Sequence, residues 1–299
     1  MDASKPLPVS VIIPAYNEEL GIEQVVRRMG AAFKNAGWTP EKDFEIIVVD
    51  DGSTDKTASL AQNAGARVIS HPANRGYGRS LVTGFDQARH DWVLMIDGDE
   101  SYPPEEALKL IPYAPRFDMV VGARHGSFYW GTLSHAFLRW IYLTLAGFVA
   151  GEKIPDANSG LRLVRKSAFY ESMPILCYGY SFTTTMTLSF IHSGHFVQFV
   201  PAVYTKRKGS SKVRGFRDIP RTLQIMTQVI LYYNPLKFLV VLALIPASLA
   251  IVFGLGWLCR HSSLYAALSC MNLLAALFVF LIGCILDSMR MGKGVVRRP

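Results

Sequence analysis

The chain has 299 residues, of which 50% are apolar and 18% are charged, and its formal net charge is +8. This composition excludes a disordered or collagen-like chain, because the first is poor in apolar residues and the second is about one-third glycine. The four cysteines have no metal-binding or redox spacing. Free thiols are therefore expected, and a disulfide-stapled fold is excluded.

Short β-branched runs alternate with helical patterns in the first half of the chain. The predicted strands are Val9–Ile13, Phe44–Val49, Arg67–Ser70, Trp92–Ile96 and Asp118–Val121. Apolar residues at helical spacing predict a first helix after Asn17, and Ser53 and Thr54 are favourable caps for a second. This order is typical of an α/β domain with a mainly parallel sheet, which binds ligands at the carboxyl ends of its strands.

Acidic residues follow two of these strands, at the edge where ligands bind. After the second strand, Asp50 can accept hydrogen bonds from a ribose or a base edge. After the fourth, Asp97 and Asp99 are two carboxylates that can share a divalent ion, and Gly98 lets the backbone approach closely. The alternative for this pair is a solvated acidic turn. No Gly-x-Gly-x-x-Gly motif follows the first strand and the sequence has no P-loop, which excludes those nucleotide-binding folds.

A set of motifs occurs in order within residues 8–215. They are Pro-Ala-Tyr-Asn-Glu (14–18), Asp-Asp-Gly-Ser-Thr-Asp (50–55), Asn-Arg-Gly-Tyr-Gly (74–78), Asp-Gly-Asp (97–99), Gly-Ala-Arg (122–124), Asp-Ala-Asn-Ser-Gly-Leu-Arg (156–162) and Gly-Ser-Ser-Lys (209–212). The first four resemble family 2 glycosyltransferases with the GT-A fold. The later ones resemble the polyprenyl-phosphate glycosyltransferases within that family, such as dolichyl-phosphate mannose synthase and its bacterial relatives.

The resemblance implies an enzyme that moves a sugar from a UDP- or GDP-sugar to undecaprenyl or dolichyl phosphate, with Mg²⁺ or Mn²⁺, for cell-envelope glycan or glycoconjugate synthesis. The residues it implies for binding the nucleotide sugar are Pro14, Ala15, Tyr16, Glu18, Asp50, Ser53 and Asp97. Asp97 and Asp99 would hold the metal, with Asp99 in a catalytic role. Arg124, Arg207 and Lys212 would face the lipid phosphate, with Arg207 replacing an arginine that the family has one position earlier.

The transfer itself needs no general base. The second pKa of a phosphate is about 6, so a lipid monophosphate is already anionic at neutral pH. The reaction instead needs stabilisation of the departing nucleoside diphosphate and alignment of the acceptor with the anomeric carbon. Attack from the face opposite the leaving group predicts inversion at that carbon. Arg124 and Lys212 are the candidates for aligning the acceptor. Asp156 is a further candidate catalytic residue, and a structural role in the turn at 158–160 is its alternative.

Two uncharged apolar runs near the end of the sequence predict membrane spans. Phe238–Leu258 and Leu264–Leu286 are each long enough to cross a hydrocarbon core of about 30 Å. A buried core helix, which is the alternative for either run, is usually shorter and has a polar face. The link Cys259–Ser263 is so short that the two helices are expected to form a hairpin with both ends on one side.

Positive charge predicts how this hairpin lies in the membrane. Lysine and arginine occur on both flanks of the hairpin, whereas the link holds only Arg260, and this predicts cytoplasmic flanks at the inner membrane. Met1–Pro8 has no apolar segment that would direct export. The expected domains are a cytoplasmic GT-A catalytic domain (1–215), a juxtamembrane amphipathic helix (216–237), the hairpin (238–286) and a basic cytoplasmic tail (287–299).

Basic residues are also clustered just before the hairpin, in the segment 206–221. Such residues attract anionic lipid head groups, with about 1 kcal/mol for each residue near the surface. Nucleic-acid binding is the competing interpretation of this charge, but the sequence contains no recognised nucleic-acid-binding module, so we expect a membrane partner and no nucleic acid. The apolar and aromatic segment Phe128–Ala150 is either an interfacial helix or a core helix.

Two other functions are compatible with the sequence. One is a transferase that acts on a different membrane lipid, and the other is a non-catalytic adaptor that binds a nucleotide sugar. The carboxylates Asp97 and Asp99 disfavour the adaptor, because a protein that only binds a nucleotide sugar has little need to keep two metal-binding carboxylates. The hairpin can pack against copies of itself, which is compatible with a homo-oligomer.

Overall fold

A computed structural model describes residues 7–126, 129, 133–172, 182–205, 224, 226–228 and 230–293. Its internal contacts divide the chain into two compact units, Met1–Thr222 and Leu223–Pro299. The first unit contains the sheet and the candidate site. The second contains the long apolar helices.

Strands and helices alternate through the first unit. The strands are β1 (Val9–Ala15), β2 (Phe44–Asp50), β3 (Arg67–Ser70), β4 (Trp92–Met95), β5 (Met119–His125), β6 (Arg162–Arg165) and β7 (Val197–Val203). The helices are α1 (Ile22–Asn35), α2 (Thr57–Asn63), α3 (Tyr77–Gln87), a 3₁₀ helix (Pro104–Tyr113), α4 (Leu133–Ala150), α5 (Lys166–Ser172) and α6 (Phe182–His192). The predicted β-α-β-α-β-α-β order of the first 96 residues is confirmed.

The strands form one mainly parallel seven-stranded sheet in the order β3-β2-β1-β4-β6-β5-β7. The strands β1 to β4 are parallel to one another, β5 is parallel to β7, and β6 is antiparallel to both of its neighbours. Ala15 lies opposite Asp50 in the register of β1 and β2, so these two strands end side by side. The loops that follow them therefore begin at one edge of the sheet, as expected for a ligand site in a parallel sheet.

Apolar residues cover both faces of the central strands. Along β1, Val11 packs in one cluster with Phe33 of α1, whereas Ile12 packs in the other cluster with Phe85 of α3. Successive side chains of a strand point to opposite faces, so a strand that is covered on both sides is apolar throughout. This burial holds the strand ends in fixed positions under the loops.

The prediction that Ser53 and Thr54 cap the second helix is wrong. Helix α2 begins at Thr57, whose backbone N donates to Asp55 Oδ1 at 2.9 Å. Ser53 Oγ instead accepts a hydrogen bond from Asn17 N at 2.9 Å, and Thr54 N donates to Asn17 Oδ1 at 2.9 Å. The residues that resemble local caps therefore join the loop after β2 to the loop after β1.

The second unit contains two long antiparallel helices, α7 (Pro235–Arg260) and α8 (Ser263–Lys293). Asn234 caps α7, because its side chain accepts a hydrogen bond from Lys237 N. By length and composition, the described part of the chain contains two helices that can cross a membrane, Pro235–Arg260 and Ser263–Arg290. The predicted pair of apolar helices is confirmed. Of the predicted juxtamembrane helix 216–237, residues 216–223, 225 and 229 lie outside the described residues.

Candidate active site

The loops after β1 and β2 form one polar surface at the carboxyl edge of the sheet. Glu18 N donates to Thr57 Oγ1 at 2.8 Å, which adds to the bonds between Asn17 and the β2 loop. Asp50 is buried, and its Oδ1 accepts from Ser53 N at 3.1 Å. The structure thus brings together six of the seven residues predicted to contact a nucleotide sugar, which are Pro14, Ala15, Tyr16, Glu18, Asp50 and Ser53, and the seventh, Asp97, follows the neighbouring strand β4.

Asp51, which the sequence analysis did not select, organises the neighbouring loop. Its buried carboxylate accepts hydrogen bonds from Arg75 N at 3.0 Å and from Gly76 N at 2.7 Å. The ring of His71 also lies within hydrogen-bond distance, with 2.7 Å between His71 Nδ1 and Asp51 Oδ1. These contacts fix the turn that leads into α3, where Tyr77 is the first helical residue. The sequence feature that points to Asp51 is its position next to Asp50, as the second of two adjacent acidic residues at the end of β2.

Asp97 and Asp99 follow β4, the strand on the other side of β1. Asp97 Oδ1 accepts a hydrogen bond from Tyr77 Oη at 3.1 Å. Burial raises the pKa of Tyr77, and the charge of Asp97 raises it further, so the hydroxyl remains a donor at neutral pH. Asp99 is buried, and its Oδ1 accepts from Ser101 N at 3.0 Å.

Gly160 lies directly against the Asp97 carboxylate. A Cβ atom at position 160 would lie 2.2 Å from Asp97 Oδ2 and 2.5 Å from Asp97 Cγ, closer than non-bonded heavy atoms approach each other. Only a glycine leaves room for the carboxylate in its present position. The loop 156–160 therefore forms one wall of the surface that carries Asp97.

The carboxylates at 97 and 99 fit a divalent metal ion by their chemistry. Mg²⁺ takes oxygen ligands and is commonly bound by one or two carboxylates together with substrate phosphates. Among the residues that the structure describes, no group of three or more His, Cys, Asp or Glu side chains forms a metal cage. A metal held here would therefore complete its coordination with ligands from a bound substrate, such as phosphate oxygens, and from water.

Arg124, at the end of β5, forms a bidentate ion pair with Asp156. The hydrogen bonds are 2.7 Å from Arg124 Nε to Asp156 Oδ2 and 2.9 Å from Arg124 Nη2 to Asp156 Oδ1. Asp156 Oδ1 also accepts from Asn158 N at 3.0 Å. Burial raises the pKa of the Asp156 carboxyl, but the hydrogen bonds and charge of Arg124 outweigh this, and the pKa lies below its ordinary value.

A second arginine, which the sequence analysis did not select, lies beside this pair. The guanidinium groups of Arg124 and Arg139 lie 5.0 Å and 4.0 Å from the ring centre of Tyr129. Arg139 Nη1 is buried and has no hydrogen-bond partner within the described ranges. Burial lowers the pKa of Arg139. In the sequence, Arg139 stands out as one of the few charged residues of the apolar segment Phe128–Ala150. Tyr129, whose ring it contacts, lies ten positions earlier.

The buried side chain of Arg162 forms hydrogen bonds with the backbone of the loop 156–160. It is fully buried and donates to Ser159 O, Ala157 O and Thr187 Oγ1, each at 2.8 Å. Burial lowers the pKa of Arg162 to about 10, so the group remains cationic at neutral pH. Because this loop contacts Asp97 through Gly160 and pairs with Arg124 through Asp156, it connects the two sides of the site.

Two of the three residues predicted to face a lipid phosphate, Arg207 and Lys212, lie outside the described residues. The same is true of the whole basic segment 206–221. Arg124 is the member of this set that the structure places, and it pairs with Asp156 at the start of the loop 156–160, whose last residue, Gly160, contacts Asp97.

Comparison with known proteins identifies related sequences. The family model described as "Glycosyl transferase family 2" matches residues 10–172. The undecaprenyl-phosphate 4-deoxy-4-formamido-L-arabinose transferase of Pseudomonas fluorescens (strain SBW25) is 29% identical over 92% of this chain and 82% of its own. The protein of the same name from strain Pf0-1 is 30% identical over 84% of this chain and 73% of its own.

A solved structure has a similar fold over three-quarters of this chain. It is glucosyl-3-phosphoglycerate synthase from Mycobacterium tuberculosis in complex with Mn²⁺, uridine diphosphate and glucosyl-3-phosphoglycerate. Its TM-score is 0.57 at 21% identity, over 75% of this chain and 79% of that chain. At this identity the likeness shows the fold alone, and the predicted GT-A domain with a mainly parallel sheet is confirmed.

Proposed function

Because the chain belongs to glycosyl transferase family 2, we propose that this glycosyltransferase moves a sugar from a nucleotide sugar to a polyprenyl phosphate at the cytoplasmic face of the inner membrane. The observation that carries the proposal is the loop 156–160. Gly160, at one end of the loop, contacts the carboxylate of Asp97, and Asp156, at the other end, pairs with Arg124, which shares the Tyr129 ring with Arg139. These contacts support a site in which a metal–diphosphate group and an anionic acceptor bind at the two ends of one loop. The names of the curated relatives, which are undecaprenyl-phosphate transferases, support the acceptor.

The donor is assigned to the surface formed by the β1, β2 and β4 loops. Pro14, Ala15, Tyr16 and Glu18 would line the nucleotide together with Asp50 and Ser53. The Asp50 carboxylate, which Ser53 N holds in place, would accept hydrogen bonds from the ribose or the base. Asp97 and Asp99 would hold Mg²⁺ or Mn²⁺, which when bound acts as a Lewis acid for the leaving nucleoside diphosphate.

The acceptor phosphate is assigned to the Asp156 end of the same loop. Arg124 and Arg139 would bind its oxygens, and Arg207 and Lys212 would add positive charge. Asp156 is assigned to positioning Arg124 rather than to proton removal, because both of its oxygens are engaged and its lowered pKa makes it a weak base.

The reaction requires one bond to form and one to break. An acceptor phosphate oxygen attacks the anomeric carbon from the face opposite the nucleoside diphosphate, the bond to that diphosphate breaks, and the configuration inverts. No side chain needs to remove a proton, because the acceptor is anionic at neutral pH. The protein residues supply alignment and charge compensation.

The described helices support a membrane location. The second unit has two apolar helices of sufficient length, and residues 216–237 and 287–299 would lie at the cytoplasmic surface on either side of the hairpin 238–286. On α4 of the catalytic domain (1–215), the side chains of Phe137 and Trp140 are each 60% exposed. Large exposed apolar side chains favour the interfacial interpretation of this helix over the core interpretation.

A transfer assay tests the proposal. Purified full-length protein would be incubated with Mn²⁺ or Mg²⁺, undecaprenyl phosphate and a panel of radiolabelled UDP- and GDP-sugars, with Asp99→Asn as the control. The proposal predicts that label from one donor enters the organic phase and that the control stays at background. If no donor labels the lipid while the protein is folded, the proposal is wrong and the non-catalytic adaptor is favoured.

A further inference from the structure

The Tyr77 hydroxyl connects the proposed nucleotide loops with Asp97. Tyr77 begins α3, and its Oη donates to Asp97 Oδ1 at 3.1 Å, across 20 positions of sequence. Because Tyr77 enters the site from a helix rather than from the loop that carries Asp97, the bond joins two separate elements of the fold.

The position of Tyr77 is itself set by Asp51. The Asp51 carboxylate accepts from the backbone N of Arg75 and of Gly76, the two residues directly before Tyr77. Gly76 has a φ of +95°, a conformation that side chains disfavour, and it turns the chain into α3 at this point. Asp51 therefore fixes the place at which the helix starts and at which the Tyr77 ring enters the site.

Asp97 is confined on its other side by Gly160. Its carboxylate lies so close to the Gly160 Cα that a Cβ atom there would fall 2.2 Å from Oδ2. A carboxylate between a hydroxyl donor and bare backbone has one preferred orientation, whereas a free aspartate side chain samples several.

We propose that Tyr77 is a positioning residue, whose hydroxyl fixes the Asp97 carboxylate in the orientation that binds the metal–diphosphate group. Through Asp51, the same hydrogen bonds connect the nucleotide loop to the metal ligand, so binding of the nucleotide and of the metal reinforce each other. This inference rests on the proposed function, since it takes Asp97 as a metal ligand. Hydrogen-bond partners of metal ligands typically change metal affinity by about 10- to 100-fold when they are removed.

The test is a titration of the full-length Tyr77→Phe variant with Mn²⁺ in the presence of UDP or GDP. Electron paramagnetic resonance detects the free and bound Mn²⁺ at each step. The Mn²⁺ dissociation constant should rise about 10- to 100-fold over wild type. Tyr170→Phe is the matched control, because the Tyr170 hydroxyl donates to Asp86 Oδ1 at 2.5 Å on the exposed surface near the other end of α3. In this control the Mn²⁺ dissociation constant should not change.

Binding of the nucleotide in EDTA distinguishes positioning from a structural role. Tyr77→Phe should bind UDP or GDP without metal as wild type does, and a parallel loss of this binding would overturn the inference. An unchanged Mn²⁺ dissociation constant in Tyr77→Phe would overturn it while leaving the proposed function intact. Failure of wild type to bind Mn²⁺ with either nucleotide would instead overturn the metal role of Asp97 and this inference with it.

If Tyr77→Phe does not fold, Asp51→Asn tests the same set of hydrogen bonds between Asp51, Tyr77 and Asp97 by a change at Asp51. This variant keeps the Tyr77 hydroxyl but weakens the acceptor for the backbone N–H groups of Arg75 and Gly76. Its Mn²⁺ dissociation constant should also rise, and a wild-type value would contradict the proposed connection.

Discussion

The Asp156 carboxylate and the Arg124 guanidinium form two parallel hydrogen bonds of 2.7 and 2.9 Å, with the Asp156 side chain 1% exposed and that of Arg124 17% exposed. A bidentate pair fixes the plane of the guanidinium as well as its position. The orientation of Arg124 is therefore set by the protein before any acceptor binds. Preorganised charge of this kind lowers the cost of aligning an anionic nucleophile.

Asp156→Asn should weaken use of the acceptor more than use of the donor. The amide cannot accept both guanidinium hydrogen bonds, and breaking a buried ion pair costs about 3–5 kcal/mol of stability. We expect kcat/KM for the lipid acceptor to fall about 100-fold through misplacement of Arg124, with the donor KM little changed. Steady-state kinetics with each substrate varied in turn measure both values.

Asp118→Asn is the matched control for that variant. Asp118 pairs with Arg165 at 2.7 Å, but both side chains are more exposed, at 14% and 35%. This change should lower the unfolding free energy without altering the acceptor KM. An equal effect of both variants on the acceptor would contradict the assignment of Asp156.

Acidification should remove the contribution of Asp156 to stability. The pKa of Asp156 in the folded protein lies below its ordinary value, because Arg124 outweighs burial. A lowered folded-state pKa gives stability that is complete above the unfolded-state pKa of about 3.9 and is lost as pH falls through the folded-state value. Thermal unfolding midpoints of wild type and Asp156→Asn should therefore converge below about pH 4. A constant difference between them down to pH 2 would contradict this.

Arg139→Ala should raise the KM for the lipid acceptor. Loss of a charge-assisted hydrogen bond of about 1.5–3 kcal/mol corresponds to a rise of about 10- to 100-fold. The unfolding free energy should fall by no more than about 0.5–2 kcal/mol, because the contact with the Tyr129 ring is lost, whereas Nη1 is a buried donor with no partner in the described part of the chain. Arg27→Ala is the control, since Arg27 is 59% exposed and forms a surface ion pair with Glu23 on α1. An unchanged acceptor KM in Arg139→Ala would remove Arg139 from the site.

Gly160→Ala should abolish turnover by displacing Asp97. The added methyl carbon would lie 2.2 Å from Asp97 Oδ2, and the carboxylate must move to admit it. We expect a loss of at least about 100-fold in kcat, which is the effect of a misplacement of about 1 Å. Gly30→Ala on α1 is the control, because its Cβ would lie at an ordinary contact distance of 3.8 Å from Ile46 Cδ1. Wild-type turnover in Gly160→Ala would contradict the contact.

Local patterns were sufficient to predict the first half of the fold. The β-branched runs of β1 to β4 lie between turn residues, Asp50 ends β2, and Asp97 and Asp99 come shortly after β4, so short stretches of sequence carry the information. Strand β6 gives no comparable signal. Its four residues are antiparallel to both neighbours in an otherwise mainly parallel sheet, and tertiary pairing decides this.

The contacts that complete the site could not be predicted in this way. The bond from Tyr77 to Asp97 and the contact of Gly160 with Asp97 join residues that are 20 and 63 positions apart in the chain. No local pattern encodes which ring or glycine will lie there. Ser53 was a favourable cap by composition, but its hydroxyl bonds Asn17 because the adjacent ends of β1 and β2 bring the two loops together.

The most direct test of the account compares acceptors that differ only at the reacting group. Wild-type protein would be given its preferred nucleotide sugar with undecaprenyl phosphate, undecaprenol or diacylglycerol, and the lipid products would be analysed by mass spectrometry. We predict a glycosylated product with undecaprenyl phosphate alone, because the positive charges of Arg124, which pairs with Asp156, and of Arg139, which lies over the Tyr129 ring, favour an anionic acceptor. Equal transfer to undecaprenol, or transfer to diacylglycerol alone, would contradict the central claim.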